Sequence, residues 1–457
     1  MVRGGVKEAG AQYQISRHSR EGGNPVEVDS CLEGYKQTDI GLISSDWSVY
    51  TIGYFNPFVT SGSRGWAEFY SEFGDLFVRI TNMCRDSIYL DLSNARYVSL
   101  PVQSAEGKRT ALENGDVLIS ITADIGISSY VDENVTKPAF INQHVALVRF
   151  QDKRINSKFV SYFLASENIQ KLFRGNTDQG AKAGINLGAI RDIKFAVPLL
   201  KEQTAIANAL SDVDALITSL EKLITKKRAI KIATVQQLLT GKKRLPPFDK
   251  SHTGYKQTEL GEIPEDWEVK ELGKLLDKII GGGTPSRSNS AYWGENIPWV
   301  TVKDFATFNP TTSQEYITKL GLLSSSSNLI PAGVLITSTR MALGKAVIYD
   351  VPVSINQDLK ALFLNKLVDN NFLYYWFEDN ASKIDELGSG STVKGLSLPD
   401  LKLIKFRLPS KDEQFAIASV ISDMDKEIEA LQQRLSKTQQ LKQGMMQELL
   451  TGKTRLV

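Results

Sequence analysis

The feature that most constrains the fold of this chain is an internal repeat. Residues 34–53 and 254–273 agree at 11 of 20 positions, and both begin Gly-Tyr-Lys-Gln-Thr. Residues 193–245 and 404–456 agree without a gap at 24 of 53 positions. A shorter echo, Ile-Asn-Gln, stands at 141–143 and again at 355–357. Such self-similarity predicts two copies of one structural unit.

The two halves repeat unevenly. The segments from 193 and from 404 are close copies, whereas the blocks 46–192 and 266–403 are dissimilar outside the short echoes. We therefore expect the repeated segments to make the same partner contacts in both halves and the variable blocks to recognise different things. The expected boundaries are a first variable domain at 34–192, a first spacer helix at 193–245, a linker at 246–265, a second variable domain at 266–403 and a second spacer helix at 404–457.

The first 33 residues differ from the rest of the chain. They are polar and rich in glycine, and they have no apolar period. We expect residues 1–33 to form a disordered tail that activity does not require.

The repeated segments predict long helices. Lys201–Leu239 contains no glycine or proline, and its apolar residues recur at steps of four and three, as in a coiled-coil seam. Ser410 and Glu413 have the spacing of a capping box, and Gly241 and Gly452 stand where the helices should stop. The predicted seam positions are Ile206, Leu210, Val213, Ile217 and Leu220 in the first copy and Ile417, Ile421, Met424, Ile428 and Leu431 in the second.

Two near-identical segments on one chain pair most simply about a pseudo-two-fold axis, which makes the helices antiparallel. Two ordinary helices in a bundle are the alternative. The variable blocks are typical of mixed α/β structure, with strands predicted at Val117–Ile121, Ala146–Phe150, Val334–Thr337 and Leu359–Leu364 and helices at Ser161–Phe173 and Asn371–Asn380. The expected fold class is α+β: two α/β domains separated by two long antiparallel coiled-coil helices, in a pseudo-two-fold internal repeat.

Composition excludes several classes of protein. The formal net charge is only +2, so any surface for nucleic acid must be local. Two cysteines and three histidines without metal-ligand spacing argue against a disulfide framework and against a zinc site. No apolar run approaches the roughly 18 residues of a membrane helix. We expect a soluble, cytoplasmic protein.

Polar loops between the predicted strands carry the residue types that bind DNA. Arginine suits guanine, asparagine and glutamine suit adenine, and hydroxyl groups suit phosphate oxygens. Ordinary turns and solvated lysines are the alternative for each loop, and the basic run 226–245 is either a solvated helix face or a surface for a partner. The predicted DNA contacts are Ser61, Ser63, Arg64, Arg79, Asn82, Gln143, Lys182, Thr284, Ser286, Arg287, Lys303, Arg340, Gln357 and Lys394.

Motifs that imitate enzyme signatures are incomplete. Asn56-Pro57-Phe58 lacks the second proline of an adenine-methyltransferase loop, and no glycine loop for a methyl donor accompanies it. Gly452-Lys453-Thr454 has Gln447 where a phosphate loop needs glycine. Glu268-Val269-Lys270 has no nuclease-like counterpart in the other repeat. We therefore predict no catalytic residue and no metal site.

The duplicated variable domain, each copy followed by Glu-Gln-x-Ala-Ile-Ala and Leu-Leu-Thr-Gly-Lys, resembles the specificity subunits of type I restriction-modification systems over roughly residues 34–457. This resemblance implies that each variable domain reads one half of a split, asymmetric DNA target. It also implies that the helices fix the unread gap and bind two methyltransferase subunits, which two ATP-dependent restriction subunits join. S-adenosylmethionine, ATP and Mg would then be bound by those partners, and this chain would carry no cofactor.

Three other functions fit the sequence. The nearest alternative is the recognition subunit of a related system whose partner fuses methylase and nuclease, and the genes beside this one, not the sequence, would decide between the two. A coiled-coil scaffold that binds only proteins would show no DNA binding even with a methylase present. A standalone nuclease would cleave DNA with Mg²⁺ alone.

Overall fold

The computed structural model of the chain describes residues 34–101, 104–175, 184–249, 254–389 and 394–456. The expected tail and Lys182 lie outside these residues. The described residues group into two units, the first holding those up to Asp212 together with those from Lys442 onward, and the second holding Val213–Leu441. Each long helix is thus shared between the units, whereas the boundaries expected from the sequence set the helices apart from the domains.

Unit 1 combines short strands and helices with the start of a long helix. Its strands are β1 (Tyr35–Thr38), β2 (Gly41–Ser44), β3 (Ser48–Thr51), β4 (Phe58–Ser61), β5 (Tyr70–Ser71), β6 (Asp75–Val78), β7 (Tyr97–Val98), β8 (Val117–Ser120), β9 (Ser128–Tyr130), β10 (Ala139–Ile141), β11 (Val145–Arg149) and β12 (Lys194–Val197). Its helices are α1 (Ala105–Thr110), α2 (Ser157–Ala165), α3 (Glu167–Gly175), α4 (Leu187–Asp192) and the first part of α5 (Leu200–Leu239).

Unit 2 has a set of elements that corresponds to that of unit 1. Its strands are β13 (Tyr255–Thr258), β14 (Gly261–Pro264), β15 (Glu268–Glu271), β16 (Leu276–Gly281), β17 (Trp293–Val300), β18 (Glu315–Ile317), β19 (Leu329–Ile330), β20 (Leu335–Ser338), β21 (Ala346–Ile348), β22 (Val353–Ile355), β23 (Leu359–Leu364) and β24 (Lys405–Leu408). Its helices are α6 (Lys319–Leu323), α7 (Asn370–Glu386), α8 (Leu398–Leu403), the rest of α5 from Val213 onward and most of α9 (Lys411–Leu449).

The sheets of the two units correspond. An antiparallel sheet of order β4-β11-β8-β9 in unit 1 matches β16-β23-β20-β21 in unit 2. A second sheet in each unit is built around a parallel pair, β6 with β10 and β17 with β22. The two-stranded sheets β1/β2 and β3/β12 match β13/β14 and β15/β24. The variable blocks therefore share most of their topology although their sequences differ; in the second sheet β10 is an edge strand, whereas its counterpart β22 lies between β17 and β19.

The predicted strands are confirmed as β8, β11, β20 and β23, with ends shifted by at most one residue at either side. Every residue of β8 and β20 is buried, which explains why neither strand contains a charged side chain. The helix predicted at 161–173 is interrupted, because Ser166 is extended and ends α2 before α3 begins. The segment expected to be a linker contains the hairpin β13/β14, which repeats β1/β2.

The stretch Lys201–Leu239 forms α5 with one added residue at its start, and α9 begins directly after Ser410. The expected spacer segments 193–245 and 404–457 are not helical throughout, because a short strand, β12 or β24, precedes the helix in each. All ten predicted seam side chains are buried or half-buried. Within unit 2 the helices run antiparallel, because Lys231 Nζ lies 2.5 Å from Asp425 Oδ1 while the earlier Lys227 Nζ lies 2.6 Å from an oxygen of the later Glu427. Among the described residues, no helix is long and apolar enough to cross a membrane.

Candidate nucleic-acid interface

Three loops meet at one surface of unit 1. The loop after β4 pairs with the Ile-Asn-Gln loop through a bridge between Ser63 and Asn142, and Gly62 N donates to Val145 O at 3.1 Å. The loop after β8 joins them, since Ile121 N donates to His144 O at 2.9 Å. We call this arrangement the three-loop surface of unit 1.

Unit 2 builds the same surface from different side chains. Gly283 N donates to Ile355 O at 3.0 Å, and Thr339 N donates to Asp358 O at 2.9 Å. The Thr284 hydroxyl donates to Gln357 Oε1 at 2.7 Å across two of the loops. This is the three-loop surface of unit 2.

The Ile-Asn-Gln echo has a structural cause. The buried Asn142 side chain accepts a hydrogen bond at 3.2 Å from the amide of His144, two residues later. Asn356 accepts one at the same distance from the amide of Asp358. Asparagine favours such local turns because its side-chain oxygen reaches the backbone two residues on. The echo therefore fixes the shape of one loop in each unit.

A glycine lets the first loop approach the second. A side-chain carbon at Gly62 would collide with the backbone oxygens of Ile141 and Asn142, and one at Gly282 would collide with that of Ile355. Both glycines stand at the same place in their units, because the first directly follows β4 and the second directly follows the corresponding strand β16. Close packing of the two loops thus requires glycine.

We expect Gly282→Ala to lower the free energy of unfolding by about 1–3 kcal/mol, because backbone atoms must move apart to admit the new carbon. Gly281→Ala is the matched control, since its new carbon would meet only the flexible Lys360 side chain at 3.7 Å. Urea unfolding of both variants measures the difference. Equal stabilities would show that the loops do not need this close contact.

The predicted DNA contacts of unit 1 differ from one another in their exposure to solvent. Arg64 is exposed, and Ser61 and Gln143 are half-buried at the three-loop surface. Ser63 and Asn82 are only 3% and 1% exposed, which corrects the expectation that they present an edge to DNA. Asn82 instead bonds to Asp91 O and to the amide of the half-buried Arg79, so it holds its own loop.

In unit 2, Thr284, Arg340 and Gln357 come together at the three-loop surface and are exposed. Ser286 and Lys303 are also exposed, but no contact joins them to these three among the described side chains. The Lys394 side chain donates to Asp385 Oδ2 at 2.9 Å, although its backbone oxygen accepts from Met341 N beside Arg340.

Arg287 is already engaged within unit 2. Both of its terminal nitrogens bond to the carboxylate of Glu315, and its guanidinium lies 3.8 Å from the centre of the Trp293 ring. The hydrogen bond from Arg287 also lowers the pKa of Glu315. A base contact by Arg287 would therefore have to use its remaining donors or replace this pairing.

Sequence reasoning missed residues that organise these surfaces. Arg109 donates to Ser61 O at 2.6 Å and to Ser63 Oγ at 3.3 Å, which ties down the first loop of unit 1. Lys360 donates to Gln357 O at 2.6 Å in unit 2, and burial lowers its pKa. The residue after Ile-Asn-Gln, His144 or Asp358, was detectable as the position where the echo ends and the repeats diverge.

The repeated motifs form a second structure, which we call a clasp. In unit 2, Arg244 Nε and Nη2 donate to both oxygens of Glu413 at 2.8 and 2.6 Å, and its terminal nitrogens also donate to Asp266. The indole of Trp267 donates to Glu413 at 3.0 Å. Ser410 caps the Glu413 amide at 3.4 Å, but the Glu413 carboxylate faces Arg244, so only half of the predicted capping box forms.

Unit 1 has the equivalent clasp. Arg455 donates to both oxygens of Asp46 at 3.0 and 2.9 Å and bonds to Glu202, whose side chain is 1% exposed. Hydrogen bonds from the Ser44 hydroxyl and from Arg455 lower the pKa of Asp46. The side chain of Arg455 is 37% exposed against 3% for Arg244, so the clasp of unit 1 is the more open one.

The glutamine of Glu-Gln-x-Ala-Ile-Ala extends each clasp into the variable domain. Gln203 Oε1 accepts from the amide of Asn156, which caps α2, and Gln414 Oε1 accepts from that of Asp369, which caps α7. The clasps are therefore built from residues that repeat in both halves, whereas the three-loop surfaces combine the repeated Ile-Asn-Gln loop with side chains that differ between the units.

Comparison with known proteins identifies the family. Residues 98–231 and 264–440 match the family described as type I restriction modification DNA specificity domain. The MjaX type I restriction enzyme specificity subunit of Methanocaldococcus jannaschii is 29% identical over 431 residues, covering 93% of this chain and 97% of the relative. The EcoBI type I restriction enzyme specificity subunit of Escherichia coli is 23% identical over 328 residues, covering 68% of this chain and 66% of the relative.

A solved structure supports the fold. The crystal structure of the type I restriction-modification system S subunit from M. genitalium covers 88% of this chain and 96% of its own, with a TM-score of 0.55 and 16% identity. The matched segments cover the first variable domain from residue 98 onward, the whole second variable domain and most of both repeated helices, which together are more than half of the chain. The chain therefore belongs to the family of type I restriction modification DNA specificity domains.

Proposed function

We propose that this chain is the DNA sequence-recognition subunit of a type I restriction-modification complex, in which each three-loop surface reads one half of an asymmetric bipartite target. The observation that carries this proposal is that the same loop framework occurs once in each unit and presents different side chains. One framework with two side-chain sets suits two different half-sites.

The chemistry of the surfaces supports reading rather than catalysis. Thr284, Arg340 and Gln357 offer donors and acceptors that pair with base edges in the major groove. Contacts from lysine and arginine to phosphates would add affinity that falls as salt rises. Two readers on one chain also gain from effective concentration, so neither needs to bind tightly alone.

The repeated helices are proposed to set the unread gap and to bind two methyltransferase subunits, and two restriction subunits complete the complex. S-adenosylmethionine would then be held by the methyltransferase subunits, which methylate adenine N6, and ATP and Mg would act on the restriction subunits. This chain supplies recognition only, in the cytoplasm where the DNA lies. A fused methylase-nuclease partner would leave these roles of the chain unchanged.

The test is to express the chain with its proposed methyltransferase partner and to sequence the host DNA for N6-methyladenine. We expect a split, asymmetric methylated motif that disappears when this chain is deleted. Unchanged methylation on deletion, with the complex formed, would contradict the proposal and favour a scaffold that binds only proteins. Cleavage by the isolated chain with Mg²⁺ alone would favour a nuclease.

A further inference from the structure

The turn after β8 and the turn after β20 share an unusual backbone. Ala123 has φ 61° and Met341 has φ 62°, and each is followed three residues later by a left-handed glycine, Gly126 or Gly344. A residue with a side chain rarely adopts positive φ, and such strain persists only where the surroundings hold it. Its recurrence in two blocks of dissimilar sequence indicates that the turn serves the same purpose in both units.

The residue just before the left-handed position differs between the units. It is Thr122 in unit 1 and Arg340 in unit 2. Each faces the residue that follows Ile-Asn-Gln: the Thr122 hydroxyl bonds to His144 Nδ1, and Arg340 Nη1 lies 3.9 Å from Asp358 Oδ1. Backbone hydrogen bonds from the neighbouring Ile121 and Thr339 hold the two pairs in matching places.

The backbone presents Arg340 rigidly. The hydroxyl of Ser338 accepts from Arg340 N at 3.3 Å and donates to Arg340 O. On the other side, Met341 N donates to Lys394 O at 3.2 Å, and Leu396 N donates to Thr339 O at 3.0 Å. The side chain emerges from this fixed backbone and is 66% exposed.

The Asp358 carboxylate attracts the guanidinium from beyond hydrogen-bonding distance, so it does not consume the guanidinium's donors. Its side chain is 13% exposed and accepts from Asn356 Nδ2 at 3.2 Å, so the carboxylate is itself fixed. Because Asp358 lies 3.9 Å from Arg340, the terminal nitrogens of Arg340 are available to bind a base. Those of Arg287 are instead paired with Glu315. A planar guanidinium at a surface presents two N–H donors in a geometry that matches the O6 and N7 acceptors of guanine.

We propose that Arg340, oriented by Asp358, determines specificity by binding guanine in the half-site read by unit 2, and that the Thr122–His144 pair occupies the corresponding reading position in unit 1. This inference rests on the proposed function. It narrows that function to one base position in each half-site and to one pair of side chains for each position.

The test compares methylated motifs made by the assembled complex with its methyltransferase. Arg340→Ala should lower the preference for guanine at one position of one half-site by about tenfold to a hundredfold, the discrimination of one bidentate contact. Asp358→Asn should weaken the same preference less, and the other half-site should stay unchanged. Lys345→Ala, which removes an exposed charge a few residues away, should leave all base preferences as they were.

Placing the arginine–aspartate pair of unit 2 at the matching positions of unit 1 provides a second test. Thr122→Arg combined with His144→Asp should create a guanine preference at one position of the half-site read by unit 1. An unchanged motif with Arg340→Ala would overturn this inference while leaving the bipartite reader intact. Equal changes in both half-sites would overturn this inference and would also contradict one separate reader for each half-site. A complex with the unaltered chain that methylates no split motif would overturn the proposed function as well.

Discussion

Replacing Arg244 with alanine should lower the free energy of unfolding of unit 2 by about 3–5 kcal/mol, the cost of leaving a buried charge without its partner. Glu413 has a side chain that is 0% exposed, and Arg244, at 3%, supplies two of its hydrogen bonds. Among the side chains that the structure describes, the indole of Trp267 would then be the remaining donor to the Glu413 carboxylate. The desolvated carboxylate would thus lose its counter-charge.

Lys243→Ala is the matched control, because it removes the same charge from the neighbouring exposed residue. Urea unfolding followed by tryptophan fluorescence and by hydrogen exchange in β15 and β24 would measure both variants. We expect Arg455→Ala to cost less, since Arg455 is the more exposed arginine of the two clasps. Equal stability of Arg244→Ala and Lys243→Ala would show that the clasp does not hold unit 2 together.

Seven residues inserted into each long helix should lengthen the unread gap of the target by about 3 base pairs. One heptad preserves the phase of the seam and adds about 10 Å of helix, and base pairs stack about 3.4 Å apart. The insertions belong between Lys231 and Ile232 and between Met424 and Asp425, because Lys231 and Asp425 face each other in unit 2.

The control for this change is the same heptad in α5 alone, which has no added partner on α9 and should abolish methylation rather than move the gap. Sequencing of N6-methyladenine gives the methylated motif for the unaltered chain, for the chain with both insertions and for the chain with the insertion in α5 alone. Methylation that continues at the original gap with both insertions would reject the helices as the element that sets it.

The sequence predicted the long helices closely because their seam depends on local spacing. Ile206 and Ile417 recur at the same place in both copies, and both are buried. The buried strands β8 and β20 were predicted equally well, because their first residues, Val117 and Leu335, lie in short apolar runs. Seam and strand patterns are periodic, so a sequence displays them directly.

Roles that depend on distant partners were not visible in the sequence. Ser63 and Asn82 have the residue types of DNA contacts, but Asp91 and Arg109 engage them inside the fold. Glu413 has the spacing of a helix cap, yet its carboxylate bonds to Arg244, 169 positions away. Burial and long-range pairing decide such cases, and neither follows from residue type and spacing.

The central claim is that each unit carries its own reading surface on a shared frame. A chain with block 46–192 in both positions, joined at the matching Asp-Trp and Ile-Lys-Phe sequences, tests this most directly when its methylated motif is sequenced beside that of the unaltered chain. The two-fold pairing expected from the internal repeat predicts an inverted repeat of one original half-site. Methylation of the original asymmetric motif by this chain would contradict the claim.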